Sequence, residues 1–305
     1  MLASLIAAAL AVFATPQDCS IAGEVGARVC TTASLKSHEI ELAAKEARVL
    51  AVTARPATWR ARAAQFRKWL AQPDLDGKRP SDEILIQRLQ DQVLELDKEI
   101  DRARGLSPVP DEATALGSQC LARWLHMGCR VTASGILRGE DGTRIVWQRQ
   151  AGASDVDGIG NGILLWDASK PGAPKLIGWS FEGVNYEAPI LTDDGKLWVP
   201  GSMAGSGGGN ADLLYVRRDG QWVEIETTSW RDTLEDRLPK GFSAWQGIDY
   251  DFNGMGGRSP LWRDTDANCC ASGGSLTLGF SIRGTSLILD EVDPDIVDKW
   301  APEKK

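Results

Sequence analysis

The chain has 305 residues, 43% hydrophobic and 25% charged, a globular composition with room for two domains. Its formal charge of −8 excludes general nucleic-acid binding, which needs a surplus of lysine and arginine on some face, and suits a basic partner.

In chain order, Leu2 to Ala14 is an apolar run too short to span a bilayer, ending in the Val-Phe-Ala pattern that a signal peptidase accepts. Residues 1–14 are therefore expected to be a removable export signal that leaves no transmembrane span, and the mature chain is expected to be periplasmic or secreted. All six cysteines, Cys19, Cys30, Cys120, Cys129, Cys269 and Cys270, follow this run, and an even number in an exported chain implies disulfides. Cys19 is expected to pair with Cys30. Cys120 and Cys129 are expected to pair with Cys269 and Cys270, because a bond between neighbouring residues needs unusual backbone geometry. Zinc is disfavoured, since there is no Cys-x-x-Cys and only His38 and His126 offer imidazole.

Leu35, Leu42 and Val49 recur with helical spacing and predict an amphipathic helix from Ser34 to Ala54, ended by Arg55-Pro56. Trp59, Ala63, Phe66 and Leu70 mark a second helix, and Pro73 to Pro80 reads as a turn. A third helix starts at the N-cap Ser81, carries Asp82 and Glu83 at its positive end and stops at Gly105, with a stripe through Ile86, Leu89, Val93, Leu96 and Ile100. Arg60, Arg62, Arg67 and Lys68 on the second helix are expected to face Asp91, Glu95, Asp97 and Glu99 on the third.

Asp18-Cys19-Ser20, a second cysteine at Cys30 and the helical Leu35-Lys36-Ser37-His38-Glu39-Ile40-Glu41-Leu42 resemble the opening of the LprI-like lysozyme-inhibitor domain. Gln65-Phe66-Arg67-Lys68-Trp69-Leu70 is similar to that family's later Gln-Arg-x-Trp stretch. The resemblance covers roughly residues 18–105 and implies a small exported helical module with a protein partner such as a lysozyme. The chain departs from the pattern in lacking a cysteine just after Trp69, which removes the family's second disulfide.

Leu106 to Ala115 is rich in proline and polar residues and reads as a linker. One further helix is expected over Leu116 to Met127. Beyond it, short β-branched and aromatic runs alternate with turn residues, and Asp141-Gly142, Asp194-Gly195, Asp219-Gly220 and Arg283-Gly284-Thr285 predict four hairpins. The fold expected is α+β: a helical hairpin or bundle, then an antiparallel, tryptophan-rich β domain over residues 116–290, sandwich or barrel-like, with a polar tail from 291 to 305.

The stretch Trp245 to Ser275 gathers the polar, glycine and cysteine signals. Asp249-x-Asp251-x-Asn253-Gly254 matches the first half of a calcium loop, and Asp264-x-Asp266-x-Asn268 is a second ladder; Asp155 and Asp157 offer a third acidic loop. Pro260 stands where an EF-hand needs a glutamate, so turns capped by Asx side chains compete with calcium as the explanation. The glycine run before Asn210 lacks the lysine and helix of a phosphate loop, and no Ser-His-Asp arrangement is legible. Trp245 and Trp262 are the candidate ligand contacts, although indoles alternating with polar residues also describe a core. Glu224, Glu226, Asp249 and Asp251 offer carboxylates for a glycan-directed hydrolase. The leading expectation is an exported, disulfide-stapled, non-enzymatic binding protein for a basic protein or an envelope glycan; the alternatives are that hydrolase and a calcium-stabilised structural module.

Overall fold

A computed structural model describes residues 23–74, 77–106, 116–117, 119–154, 158–182, 185–204 and 209–297. The export run, Cys19, Asp155, Asp157 and most of the expected linker lie outside the described residues. The described chain opens with helices α1 (Gly23–Thr31), α2 (Ala33–Val52), α3 (Pro56–Leu70) and α4 (Asp82–Arg104). Fifteen strands follow: β1 (Met127–Arg138), β2 (Arg144–Ser154), β3 (Gly158–Asp167), β4 (Lys175–Ser180), β5 (Asn185–Tyr186), β6 (Ile190–Leu191), β7 (Leu197–Val199), β8 (Gly201–Ser202), β9 (Leu213–Arg218), β10 (Gln221–Ile225), β11 (Phe242–Ser243), β12 (Asp249–Asp251), β13 (Gly256–Arg263), β14 (Gly274–Arg283) and β15 (Ser286–Ile296). The class is α+β, with helices first and then antiparallel sheets that include a curled half-barrel. None of the described helices is long and apolar enough to cross a membrane.

Contacts divide the chain into two compact units. One comprises the described residues up to Arg48 together with Ala64–Asp97; the other comprises Val49–Ala63 and the described residues from Lys98 onward. In the first, Val29, Leu35, Leu42, Phe66, Leu70, Leu85, Leu89 and Leu96 are buried, which is the predicted stripe turned slightly so that Leu85 joins it. Ser81 Oγ accepts the Ile84 N–H at 3.4 Å, as its N-cap role requires. One of the basic residues finds a partner outside the expected set. Arg67 forks onto Glu46 of α2, both contacts at 2.8 Å, because its face of α3 looks toward α2.

In the second unit the strands form three successive antiparallel meanders: β1-β2-β3-β4, then β6-β7-β9-β10, then β13-β14-β15 flanked by β11 and β12; β5 pairs with β8. All four predicted hairpins join neighbouring strands. Asp219 and Gly220 both adopt positive φ, 49° and 71°, between Arg218 and Gln221, the two-residue turn whose twist matches its strands. Trp147, Trp166, Trp179, Trp230 and Trp262 are buried, so most of the tryptophans of this half are core.

Several expectations are corrected. Gln119–His126 runs as turns rather than helix, held by a Cys120–Cys129 disulfide and by the burial of Leu121 and Leu125. Cys269 bonds to its neighbour Cys270, so neither pair crosses to the other as expected. Each partner is found nine and one residues away, where the closing loop costs least chain entropy. Cys30 is disulfide-bonded, and its expected partner Cys19 is not among the described residues. The glycine-rich stretch conceals β13, which lies between β14 on one side and β11 and β12 on the other. Pro260 sits in the gap between the segments that pair with β11 and β12, where its missing N–H breaks no ladder on that side. Residues 291–296 of the expected polar tail are strand instead, pairing with β14 as an edge whose acids and proline protect it from further pairing.

Candidate functional site

The two acidic ladders close turns. Asp251 Oδ1 accepts the backbone N–H groups of Asn253 (3.0 Å) and Gly254 (3.1 Å). Asn253 pairs twice with Asp193, through its Oδ1 to the backbone N–H and its Nδ2 to the carboxylate, both at 2.8 Å. Asp266 accepts from the N–H groups of Arg263 and Ser272, each at 2.8 Å, and from Ser272 Oγ at 2.6 Å, which closes the loop carrying Cys269 and Cys270. Asp264 lies exposed beside Gly241. Among the described residues no group of three or more His, Cys, Asp or Glu side chains is disposed to hold a metal ion. Asp251, Asn253 and Asp266 thus spend side-chain oxygens on backbone donors, as Asx turns require of the first and last.

Trp262 is 2% exposed and packs under Trp245, 42% exposed, with ring centroids 5.1 Å apart. Trp262 is therefore a core residue and only Trp245 offers surface to a ligand. Glu226 is buried and accepts from the N–H groups of Thr228 (2.6 Å) and Ser229 (3.0 Å).

Glu224 has a larger structural task. Its Oε2 accepts the N–H groups of Ala57 (2.9 Å) and Thr58 (3.3 Å), the open first turn of α3 behind the helix-starting Pro56. Its Oε1 accepts from Thr58 Oγ1 at 2.7 Å and Arg55 Nε at 3.1 Å. Arg55 also reaches Ser180 Oγ (3.2 Å) and Glu182 (2.7 Å). Burial works against ionisation of Glu182, and the guanidiniums of Arg55 and Arg62 overcome it, holding its carboxyl at about 2. This network welds residues 53–63 to the sheets of their own unit. It leaves Glu224 unsuited to acid–base work.

A cleft of about 430 Å³ opens beside β12, lined by Glu187, Trp198, Asn210, Asp212, Asp249 and Tyr250 among others. Asp212 is buried at its base; Oδ1 accepts from Trp198 Nε1 and Oδ2 from Asn210 Nδ2, both at 2.9 Å. Burial pushes the Asp212 carboxyl up, against the pull of these neutral donors. Asn210 is itself locked, accepting from Ile248 N (2.7 Å) and Arg231 Nη2 (2.9 Å) and donating to Ile248 O (2.7 Å). Glu187 and Asp249 are exposed, and among the described residues neither side chain has a hydrogen bond or ion pair. Arg258, opposite Asp249 in the strand register, forms no ion pair with it. No lysine, arginine or histidine is among the described residues lining the cleft. It is thus a concave, partly aromatic surface with one rigid and two free carboxylates.

Of the sequence candidates, Asp249 belongs to this cleft, while Asp251, Asn253, Asp264, Asp266, Trp245 and Trp262 do not line it. Sequence reasoning missed Trp198, Asn210 and Asp212. The available signal was the Asn210-x-Asp212 alternation leading into β9, which sets two polar side chains on one face beyond a glycine run. No family model matches the chain, and no curated protein matches it.

Proposed function

We propose that the chain is an exported, disulfide-stapled, non-enzymatic binding protein of the periplasm or extracellular space, and that its partner is a basic protein such as a lysozyme. The observation that carries this reading is the cleft at Asp212, which offers carboxylates and the Trp198 ring without a lysine, arginine or histidine among its described lining residues. The charge of −8 favours the same partner by steering. The LprI-like start of the helical module supports the lysozyme version. Glu224, Glu226 and Asp251, three of the four carboxylates that the hydrolase reading called on, are occupied in turns and caps. The test is lytic activity of several lysozyme types with and without stoichiometric purified protein. Inhibition of at least one supports the reading; none inhibited at stoichiometric excess sinks it.

A second reading, a glycan-directed hydrolase, is favoured by one observation: Asp249 lines the same cleft as the buried Asp212, so two carboxylates in different environments share a wall. Release of reducing ends from cell-wall glycan, abolished in Asp249→Asn, is its signature.

A further inference from the structure

A divalent metal needs several oxygens converging on one point, and no such set exists among the described residues. The carboxylates of the cleft instead come from three separated segments, at Glu187, Asp212 and Asp249, around a cavity large enough for an organic group. Asp212 is 7% exposed and its oxygens are bound by neutral side-chain donors, with no ion pair. A buried carboxylate without a countercharge is costly, and the cost falls when a cation arrives. Trp198 brings an aromatic ring to the wall, which attracts a planar cation, while the Tyr250 ring is buried against Phe252. The rim is apolar: Ile190 is 41% exposed, and Met203, 46% exposed, packs against Gly209 of the lining. A second hollow, of about 670 Å³, contrasts with it, since two cations, Arg138 and Arg217, line it beside Glu140, Asp141, Asp193 and Asp194.

We infer that the cleft is the receptor for one arginine side chain of the partner protein, its guanidinium lying among Asp212, Asp249 and Glu187 and its aliphatic stem passing Ile190. Guanidinium fits better than ammonium because its five N–H donors spread in a plane and can serve carboxylates that do not converge, and because it stacks on aromatic faces. The inference rests on the reading of the chain as a receptor for a basic protein.

The test titrates the full chain with Nα-acetyl-arginine N-methylamide and with its citrulline counterpart, a neutral molecule of nearly the same shape, following the Trp198 indole N–H by NMR. That proton reports the site directly, because it is bound to Asp212. The expected result is saturable binding of the arginine probe, at least about tenfold tighter than the citrulline probe, as loss of charge-assisted hydrogen bonds implies. Asp249→Asn and Glu187→Gln, both exposed and free of structural bonds, are each expected to weaken it several-fold, while Glu235→Gln, exposed and outside the lining of the cleft, leaves it unchanged. Equal affinity for the two probes overturns the inference, as does binding that bypasses the Trp198 resonance or ignores both cleft substitutions. Lysozyme inhibition without arginine discrimination sinks the inference alone. Arginine discrimination without lysozyme inhibition upholds the inference and sinks the lysozyme version of the function.

Discussion

Replacing Glu224 with glutamine keeps the shape of the side chain and removes half of its acceptor capacity. The two carboxylate oxygens serve four donors: Ala57 N and Thr58 N on one, Thr58 Oγ1 and Arg55 Nε on the other. Whichever way the amide is turned, its NH₂ faces a pair of donors, so two hydrogen bonds are lost in a buried site. Hydrogen bonds to a charged group contribute about 1.5–3 kcal/mol each, and breaking one side of a buried ion pair costs about 3–5 kcal/mol. Arg55 retains Glu182, which moderates the loss, so about 3–5 kcal/mol of destabilisation is expected. Urea unfolding with disulfides intact, read by tryptophan fluorescence, measures it. Arg55→Met is expected to cost a similar amount, and the double variant less than the sum by about 1–3 kcal/mol, because the groups act as a unit. A loss below about 1 kcal/mol for Glu224→Gln, or full additivity with Arg55→Met, refutes the assignment of this network as the weld between α3 and the sheets.

Glu182 has a folded value of about 2 against the ordinary 4.5; a depressed carboxylate adds stability that is complete above pH 4.5 and is lost as pH falls toward 2. That depression corresponds to about 3 kcal/mol, so Glu182→Gln should flatten the acid limb of a stability curve, and an unaltered limb contradicts the pairing with Arg55 and Arg62. Replacing Cys120 and Cys129 together with serine releases a nine-residue closure and should cost about 2–3 kcal/mol, whereas the Cys269/Cys270 double serine should cost under about 1 kcal/mol in the same denaturant series. Trp262→Ala should destabilise by about 3–5 kcal/mol and Trp245→Ala by about 1 kcal/mol or less, following their burial. Thermal melts with calcium and with chelator should coincide within about 2 °C, as a site contributing even 1 kcal/mol would shift the midpoint further.

The helices and hairpins were legible because their signals are local. Ser81, Pro56 and Gly105 mark helix ends by their own chemistry, and Asp219-Gly220 dictates a turn by its φ angles. β13 was not legible: Gly256, Gly257 and Pro260 erase the β-branched signature, and its alternation of buried Gly257, Ser259 and Leu261 appears only once neighbours are known. The spacing of Cys120, Trp124 and Met127 looks helical, yet the short Cys120–Cys129 bridge overrides it. The acidic ladders attracted notice because ligand sites and Asx turns use the same residues at the same spacing. The cleft was hidden for the opposite reason, since Glu187, Asp212 and Asp249 are scattered along the chain and meet only through strand pairing.

The cap on α3 also sets an order of assembly. Ala57 and Glu224 are 167 residues apart, so the first turn of that helix lacks its acceptor until β10 has been synthesised. Contacts of such separation close late and slowly. Arg55 can meet Ser180 and Glu182 earlier in synthesis, and only the capping of Ala57 and Thr58 awaits β10. A truncated chain ending before Glu224 therefore loses a feature of its amino-terminal region, and a protease that recognises frayed helix starts can tell the finished molecule from the unfinished one.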